Sequence, residues 1–479
     1  MGQLKHQFVT DIKTGLLSST MPNGAVIHAR GALNTADFYG FKKSIEAYFQ
    51  HASNPKIKFH LTVRTGSALD PIDKPGVNHF LEHCLCRTRK YPSLDALMEA
   101  FEERGGFFNA STGTTEMNFF GELESNPKNL RFLMDYFDEI LNDPSFPPEV
   151  IERERNRILT EFLEYEDNAQ TRVNKALFTH IVRAEGRPID GLGTEESVEN
   201  ITREDLEAAH AKSFTAANVE LSISSTFAPT TVIHAAQKRF KKMPMGTRNE
   251  FEDVTFDPDQ IIVLDEPESR SSNFTINFHA GDLSQQEIIQ LHGATQLLNA
   301  YLYREMINKG VVYHCNAASG AINDQYGILI TGKVRADSVG GITPSIVAAF
   351  EKFADGISSH RYKTTRRDTL REHSGMIPVY RLAHDVKLHG SLQTVGKTHK
   401  EAADLMTPDA LLTFVRDKIL TNPVGIAING GDNTRDLTEK LTPALDNLRQ
   451  ALQGVVANDP TRKTMLGTIQ GLVLPRNRL

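Results

Sequence analysis

Alternating apolar and polar positions mark strands along this chain, and one such strand recurs at a fixed interval behind the same kind of helix. Val219, Leu221 and Ile223 alternate in one segment, and Val424, Ile426 and Ile428 in another. The enclosing segments, ITREDLEAAHAKSFTAANVELSIS (201–224) and MTPDALLTFVRDKILTNPVGIAIN (406–429), lie 205 residues apart. Each opens on a threonine, Thr202 or Thr407, placed to cap an amphipathic helix with an acid two or three positions on. Asn218 or Pro423 then punctuates before the strand. At the same interval, the helical stretch LDALMEAFEERG ends on Gly105 and LYREMINKG ends on Gly310. Two similar halves are expected.

Further strand-like runs stand at KIKFHLTVRTG (56–66), QIIVLDE (260–266) and YGILITGKV (326–334), mixed with long helical periods. The mixture predicts an α+β fold of two homologous domains, each a largely antiparallel sheet packed with helices. Between the halves, PMGTRNEFEDVTFDPD (244–259) scatters Pro, Gly, Asp and Asn without a sustained period, as a surface linker does. The division is therefore a first domain over 1–243, a linker over 244–259 and a second domain over 260–479. The last stretch, 457–479, carries no usable period.

Composition narrows the function classes. At about 150 residues per domain, 479 residues allow roughly three domains, and two larger ones also fit. No apolar run approaches the ~18 residues of a membrane-spanning helix, so no membrane partner is expected. Fifty-three basic against 60 acidic side chains leave a net charge of -7, the wrong sign for a general nucleic-acid binder. Three cysteines, Cys84, Cys86 and Cys315, are too few for a disulfide framework, and an odd count fits a reducing compartment. The opening MGQLKHQFVTDIKTGLL lacks the apolar core of a secretory signal, and Asp11 makes it a poor transit peptide. A cytoplasmic location is the expectation.

The most specific local feature is His79-Phe80-Leu81-Glu82-His83. At about 100° per residue the two histidines lie about 40° apart on one helical face, with Glu82 about 60° to the other side of His79. Two imidazoles at i and i+4 form half of a tetrahedral zinc site, and a carboxylate beside them can take a proton from water there. This is H-x-x-E-H, the inverted metalloprotease signature, expected by chance only about 0.04 times in such a chain. No other two histidines here stand four apart. Two histidines sharing a helix face are also compatible with plain packing, so the motif needs a third ligand.

The segment FPPEVIERERNRILTEFLEYED (146–167) offers one. Glu154 and Glu161, seven apart, point within about 20° of each other on a helix and sit roughly 10 Å apart along it, flanking the stripe Ile151, Ile158 and Phe162. One can ligand the metal while the other holds a histidine from behind. The alternative is a solvated charged helix laced with i,i+4 pairs. GGFFNASTGTTEMNFFGEL (105–123) is a glycine pair followed by a polar, β-prone run, suited to a sheet edge that binds an extended peptide by strand addition. Cys84 and Cys86, two apart, do not match common zinc spacings and read as buried apolar thiols.

With these residues the chain resembles the inverzincin metallopeptidases of the pitrilysin and insulin-degrading type, most closely the shorter branch that includes the mitochondrial processing peptidase. The matching elements are MPNGAVIHA (21–29), VRTGSALDPIDKPGVNHFLEH (63–83), YPSLDALMEAFEERGGFFNAST (91–112) and ERERNRILTE (152–161), in the family's order and spacing. The resemblance implies that His79, His83 and Glu161 bind zinc, that Glu82 is the general base and that Glu154 supports a histidine ligand. It implies that Asn109 and Ala110 lie on the substrate-binding strand; Glu116 falls in the same motif without an assigned role. The second half has no H-x-x-E-H. In active members it contributes an Arg and a Tyr seven residues apart that fix the substrate and help the oxyanion, which implies a catalytic role for Tyr313, but Met306 occupies the arginine position. Arg304, two positions away, is a candidate substitute, although it points about 160° elsewhere on a helix.

The resulting expectation is a zinc endopeptidase acting on extended peptides or unfolded segments. Four such domains make a clamshell chamber in the resembled family, so a second subunit is implied, as a homodimer or as a heterodimer with a related chain. A non-catalytic or partner-dependent peptide-binding subunit of the same fold is the alternative, and a metal-binding protein without hydrolysis is a third reading.

Overall fold

The computed structural model describes residues 7–11, 16–31, 55–184, 186–251, 254–322, 325–356, 362–366 and 406–431, with isolated positions at 360, 439, 443, 446 and 447. Residues 1–6 and the stretch 457–479 lie outside them. The described residues form two compact units, one drawn from the chain up to Leu163 and from Ile189 to 251, the other from Glu164–Pro188 and from 254 onward. No helix among the described residues is long and apolar enough to cross a membrane.

In the first unit, β1 (Gln7–Asp11), β2 (Leu16–Thr20), β3 (Val26–Arg30), β4 (Lys56–Val63), β5 (Phe107–Thr112), β6 (Met117–Glu124) and β7 (Val219–Ser224) form one sheet. Its order is β1-β2-β3-β7-β4-β6-β5. In the second, β8 (Ile261–Asp265), β9 (Ser271–Gly281), β10 (Val312–Ile322), β11 (Gln325–Arg335) and β12 (Val424–Gly430) are ordered β8-β12-β9-β11-β10. The two orders correspond strand for strand from β3 and β8 onward. In each, the first pair is parallel (β3 with β7, β8 with β12) and the remaining pairs are antiparallel. The sheets are therefore largely antiparallel, and the repeat seen in sequence is a repeat of topology. The 205-residue interval holds between Phe107 and Val312 at the starts of β5 and β10, and between Val219 and Val424. Gly105 and Gly310, which end the preceding helical stretches, are both left-handed (φ 63 and 71°). That conformation places a chain reversal ahead of each edge strand where a side chain would be strained.

Apolar alternation along β4 sends Ile57, Phe59, Leu61 and Val63 into the core of the first unit. Against them pack helices α1 (Val77–Leu85), α2 (Leu94–Glu102), α3 (Pro127–Asn142) and α4 (Pro148–Asp167), with Phe59 meeting the rings of Phe101 and Phe137 at 5.9 and 5.7 Å. The division at 244 put residues 164–188 in the first domain, whereas they pack in the second unit. The reason lies in α5 (Ala169–Ile181): Gln170 Nε2 donates to the Phe274 carbonyl (3.3 Å) and to Thr275 Oγ1 (2.9 Å), and Arg172 pairs with Glu266 (2.7 Å).

Helix α1 is fixed at its start by a buried acid. Asp70 accepts from the amides of Gly76 (2.7 Å) and Asn78 (3.1 Å), two donors that the first turn leaves unpaired, and from Asn78 Nδ2 (2.7 Å). Gly76 itself is left-handed (φ 89°), and a Cβ there would stand 2.4 Å from the Leu192 carbonyl oxygen. Gly310 has the same handedness but open space around it. Gly310→Ala is expected to cost about 1–2 kcal/mol from backbone strain alone. Gly76→Ala should cost clearly more, because a backbone atom must also move. Urea unfolding midpoints of the two variants check the order, and equal destabilisation would contradict it.

Candidate metal centre

Helix α1 buries Val77, Phe80, Leu81, Cys84 and Leu85 in the core. The helical period therefore turns His79, Glu82 and His83 to the opposite side, where α4 passes. His79 and His83 stand edge to face with ring centroids 4.7 Å apart. Glu161 of α4 reaches both: its Oε2 lies 3.7 Å from His79 Nε2 and its Oε1 3.6 Å from His83 Nε2. One ligand atom from each of the three lies within 4.8 Å of the other two. An ion with bonds of about 2.0–2.1 Å in tetrahedral geometry needs donor atoms roughly 3.3 Å apart, so small side-chain adjustments close this set around it. Burial, and then the neighbouring His83, pull His79 down to about 3, so its ring is neutral with a lone pair to give. His79 Nδ1 is buried without a hydrogen-bond partner. Two imidazoles and a carboxylate, facing one another in a half-closed site, fit zinc.

Glu154, two turns before Glu161, is 1 % exposed. Its Oε2 stands 3.6 Å from His83 Nδ1, and both its oxygens accept from Arg87, from Nε at 2.8 Å and from the terminal nitrogen at 2.7 Å. Arg153 Nε adds a third donor at 3.3 Å. Burial would raise this carboxyl, but the His83 ring and the guanidinium groups of Arg87 and Arg153 outweigh it and hold it at about 2. Arg87 was not foreseen: one arginine of the basic run Arg87, Arg89 and Lys90 has no local signal tying it to an acid 67 positions on.

Glu82 is 8 % exposed, and its Oε2 accepts from the Thr112 hydroxyl at 2.9 Å. Burial raises its carboxyl above the ordinary range, with His83 and Thr112 opposing. Thr112 ends β5, the outermost strand of its sheet among the described residues. Along that strand Phe107, Asn109 and Ser111 are exposed, while Phe108 is buried and Ala110 half-buried. Asn109 accepts the amide of Ala110 through its side chain (2.9 Å), and Glu116 accepts from Asn118 Nδ2 (3.0 Å). His79, Glu82, His83, Asn109, Thr112 and Glu161 all line one cavity of about 590 Å³. Cys84 and Cys86 are buried free thiols, and burial lifts both well above the ordinary range, so they are unreactive.

The other residues singled out in sequence belong to the second unit. Tyr313 on β10 is 67 % exposed, whereas Met306 is fully buried with its sulfur 3.5 Å from Cys315 Sγ. Met306 follows α6 (Gln285–Leu302) in a π turn over Tyr303–Ile307, a one-residue insertion that the amphipathic period does not reveal. The turn leaves Arg304 exposed and Met306 in the core.

Comparison with known proteins bears on the family and the fold. Residues 47–193 match the sequence profile described as Insulinase (Peptidase family M16), and residues 200–367 match that described as Peptidase M16 inactive domain. An uncharacterized zinc protease of Rickettsia felis is 25 % identical over 199 residues, 41 % of this chain and 47 % of that protein. The probable mitochondrial-processing peptidase subunit beta of Arabidopsis thaliana is 27 % identical over 183 residues, 38 % of this chain and 34 % of its own. The matched stretch thus spans less than half the length of these curated relatives. In fold, the chain is similar to the crystal structure of a peptidase M16 inactive domain from Pseudomonas fluorescens, with a TM-score of 0.69 and 17 % identity over 89 % of this chain and 98 % of that one. Two adjoining family profiles over about two thirds of the chain, and a shared fold along most of it, establish that this chain belongs to peptidase family M16.

Proposed function

We propose that this chain is a zinc endopeptidase acting on extended peptides or unfolded segments. The observation that carries the reading is the convergence of His79, His83 and Glu161 on one point, with the buried Glu82 beside them at the floor of a cavity edged by β5. Zinc bound there supplies a Lewis acid. Glu82 takes the proton of the attacking water and delivers it to the departing amine; a raised carboxyl pKa suits both transfers. The Thr112 hydroxyl occupies one carboxylate oxygen and so orients the other. The outer edge of β5, unpaired among the described residues, offers main-chain donors and acceptors to an extended chain regardless of its side chains, and Asn109 and Ala110 lie on that edge. Arg87 keeps Glu154 ionised and aimed at His83 Nδ1, which leaves Nε2 of that ring for the metal.

A second reading is favoured by Met306. An arginine there would have to leave the apolar core of the second unit, so a partner subunit supplies the missing charge, or the chain binds peptides without cutting them. A relative named as a subunit is consistent with a dimer of two such chains or of related ones.

Mass-spectrometric digestion of a pool of unstructured peptides separates the readings. The purified chain is expected to cleave, and Glu82→Gln to lower the rate by about 10²–10⁴-fold with zinc still bound one per chain. Zinc without cleavage in the unmodified chain would favour the partner-dependent reading. Arg87→Met is expected to weaken zinc by about 10–100-fold in chelator competition, with Arg87→Lys intermediate. Because it strands a buried carboxylate, Arg87→Met should also destabilise the fold by about 3–5 kcal/mol. Unchanged zinc affinity in a folded Arg87→Met protein would remove Arg87 from the site.

A further inference from the structure

We propose that Arg157 selects peptides carrying an acidic side chain within about two residues of the bond to be cut. The inference rests on the peptidase reading for the bond, and on geometry of its own for the charge. Arg157 lies on α4 one turn before Glu161, about 6 Å along the helix axis, and lines the same cavity as His79, Glu82 and Asn109.

It is the unengaged cation of that wall. Arg87 is consumed by Glu154. Arg153 donates to Glu154 and to the Pro92 carbonyl, while Arg155 is held by Glu152 and by the carbonyls of Val198 and Ile201. Arg157 is exposed and has no hydrogen-bond or ion-pair partner among the described residues. Its acidic neighbour at i+4 is Glu161, in the less favourable of the two helical orientations for such a pair. The carboxylate of Glu161 is also turned to the two imidazoles.

Charge balance points the same way. Of the two arginines that line the cavity among the described residues, Arg87 is cancelled by Glu154. What remains is the single positive charge of Arg157, in a recess whose apolar side, Leu94, Met98 and Phe107, strengthens its field. A peptide added to β5 advances about 3.3 Å per residue, and Arg157 is rooted one helical turn, about 6 Å along α4, from Glu161, so its guanidinium is placed to meet side chains one or two positions from the reacting carbonyl. An Asp or Glu there accepts a charge-assisted, two-pronged hydrogen bond.

The test uses peptides blocked at both termini, identical except for an Asp or Asn moved through each position, with a second set bearing a free carboxyl terminus. In the unmodified chain, Asp at one position within two residues of the cut should raise kcat/KM over Asn by roughly tenfold, the scale of one charged hydrogen bond. Arg157→Gln should bring that ratio to near one, Arg157→Lys should keep part of it, and Arg157→Glu should shift the preference to Lys. A ratio of one in the unmodified chain, or one that survives Arg157→Gln, overturns the proposal. So does a preference seen only with a free carboxyl terminus, which would assign Arg157 to the chain end instead. Anisotropy binding of the same peptides to Glu82→Gln, with and without Arg157→Gln, reads the preference without turnover. An Asp preference in binding alone, with no cleavage by the unmodified chain, would sink the peptidase reading and leave Arg157 as a carboxylate recogniser.

Discussion

The buried pairing of Arg87 with Glu154 is the contact on which the site geometry hangs. It joins the residue just past the end of α1 to the middle of α4 across 67 positions, by two hydrogen bonds of 2.8 and 2.7 Å with both side chains almost wholly enclosed. Each charge alone would carry a desolvation cost of several kcal/mol, so the two helices hold their register where the pair is intact and lose much of that reason if either partner is removed. The same carboxylate stands 3.6 Å from His83 Nδ1. One interaction therefore serves helix packing and the placing of the His83 ring together. At the other end of α1, Asp70 performs the matching task on the first turn. A helix pinned at both ends presents His79 and His83 in a fixed direction, the pre-organisation that the proposed metal site requires.

The two units show how one topology diverges in use. Both place a parallel pair first and three antiparallel pairs after it, and both turn into the edge strand through a left-handed glycine. In the first unit, the helices ahead of that turn carry the histidines and Glu82. In the second, the corresponding chain is a long helix ending in a π turn, with Met306 in the core against Cys315. Residues that would do chemistry in one copy are given to packing in the other.

On the proposed reading, the cavity would combine two modes of recognition. The edge of β5 can bind any backbone, and Thr112 at its end couples that edge to Glu82. The walls would supply the discrimination: an apolar side at Leu94, Met98 and Phe107, and the guanidinium of Arg157, which has no partner among the described residues. Specificity in such a site comes from a few side chains beside a permissive strand.

Much of this was legible in sequence, because it depends on local periods. The i,i+4 histidines, the alternating strands, the threonine caps at Thr202 and Thr407 and the 205-residue interval all follow from backbone repeats of 3.6 and 2 that a linear reading can count. The seven-residue spacing of Glu154 and Glu161 showed that both could face one helix. Other features came from contacts between distant positions. Only packing assigns Glu164–Pro188 to the second unit, couples Arg87 to Glu154 and Thr112 to Glu82, and leaves Arg157 without a partner among the described residues. The π turn that buries Met306 is set by the core it must fill. A sequence determines which groups share a face of one element; which faces meet, and which charges are thereby neutralised or left over, is decided when the elements exclude water together.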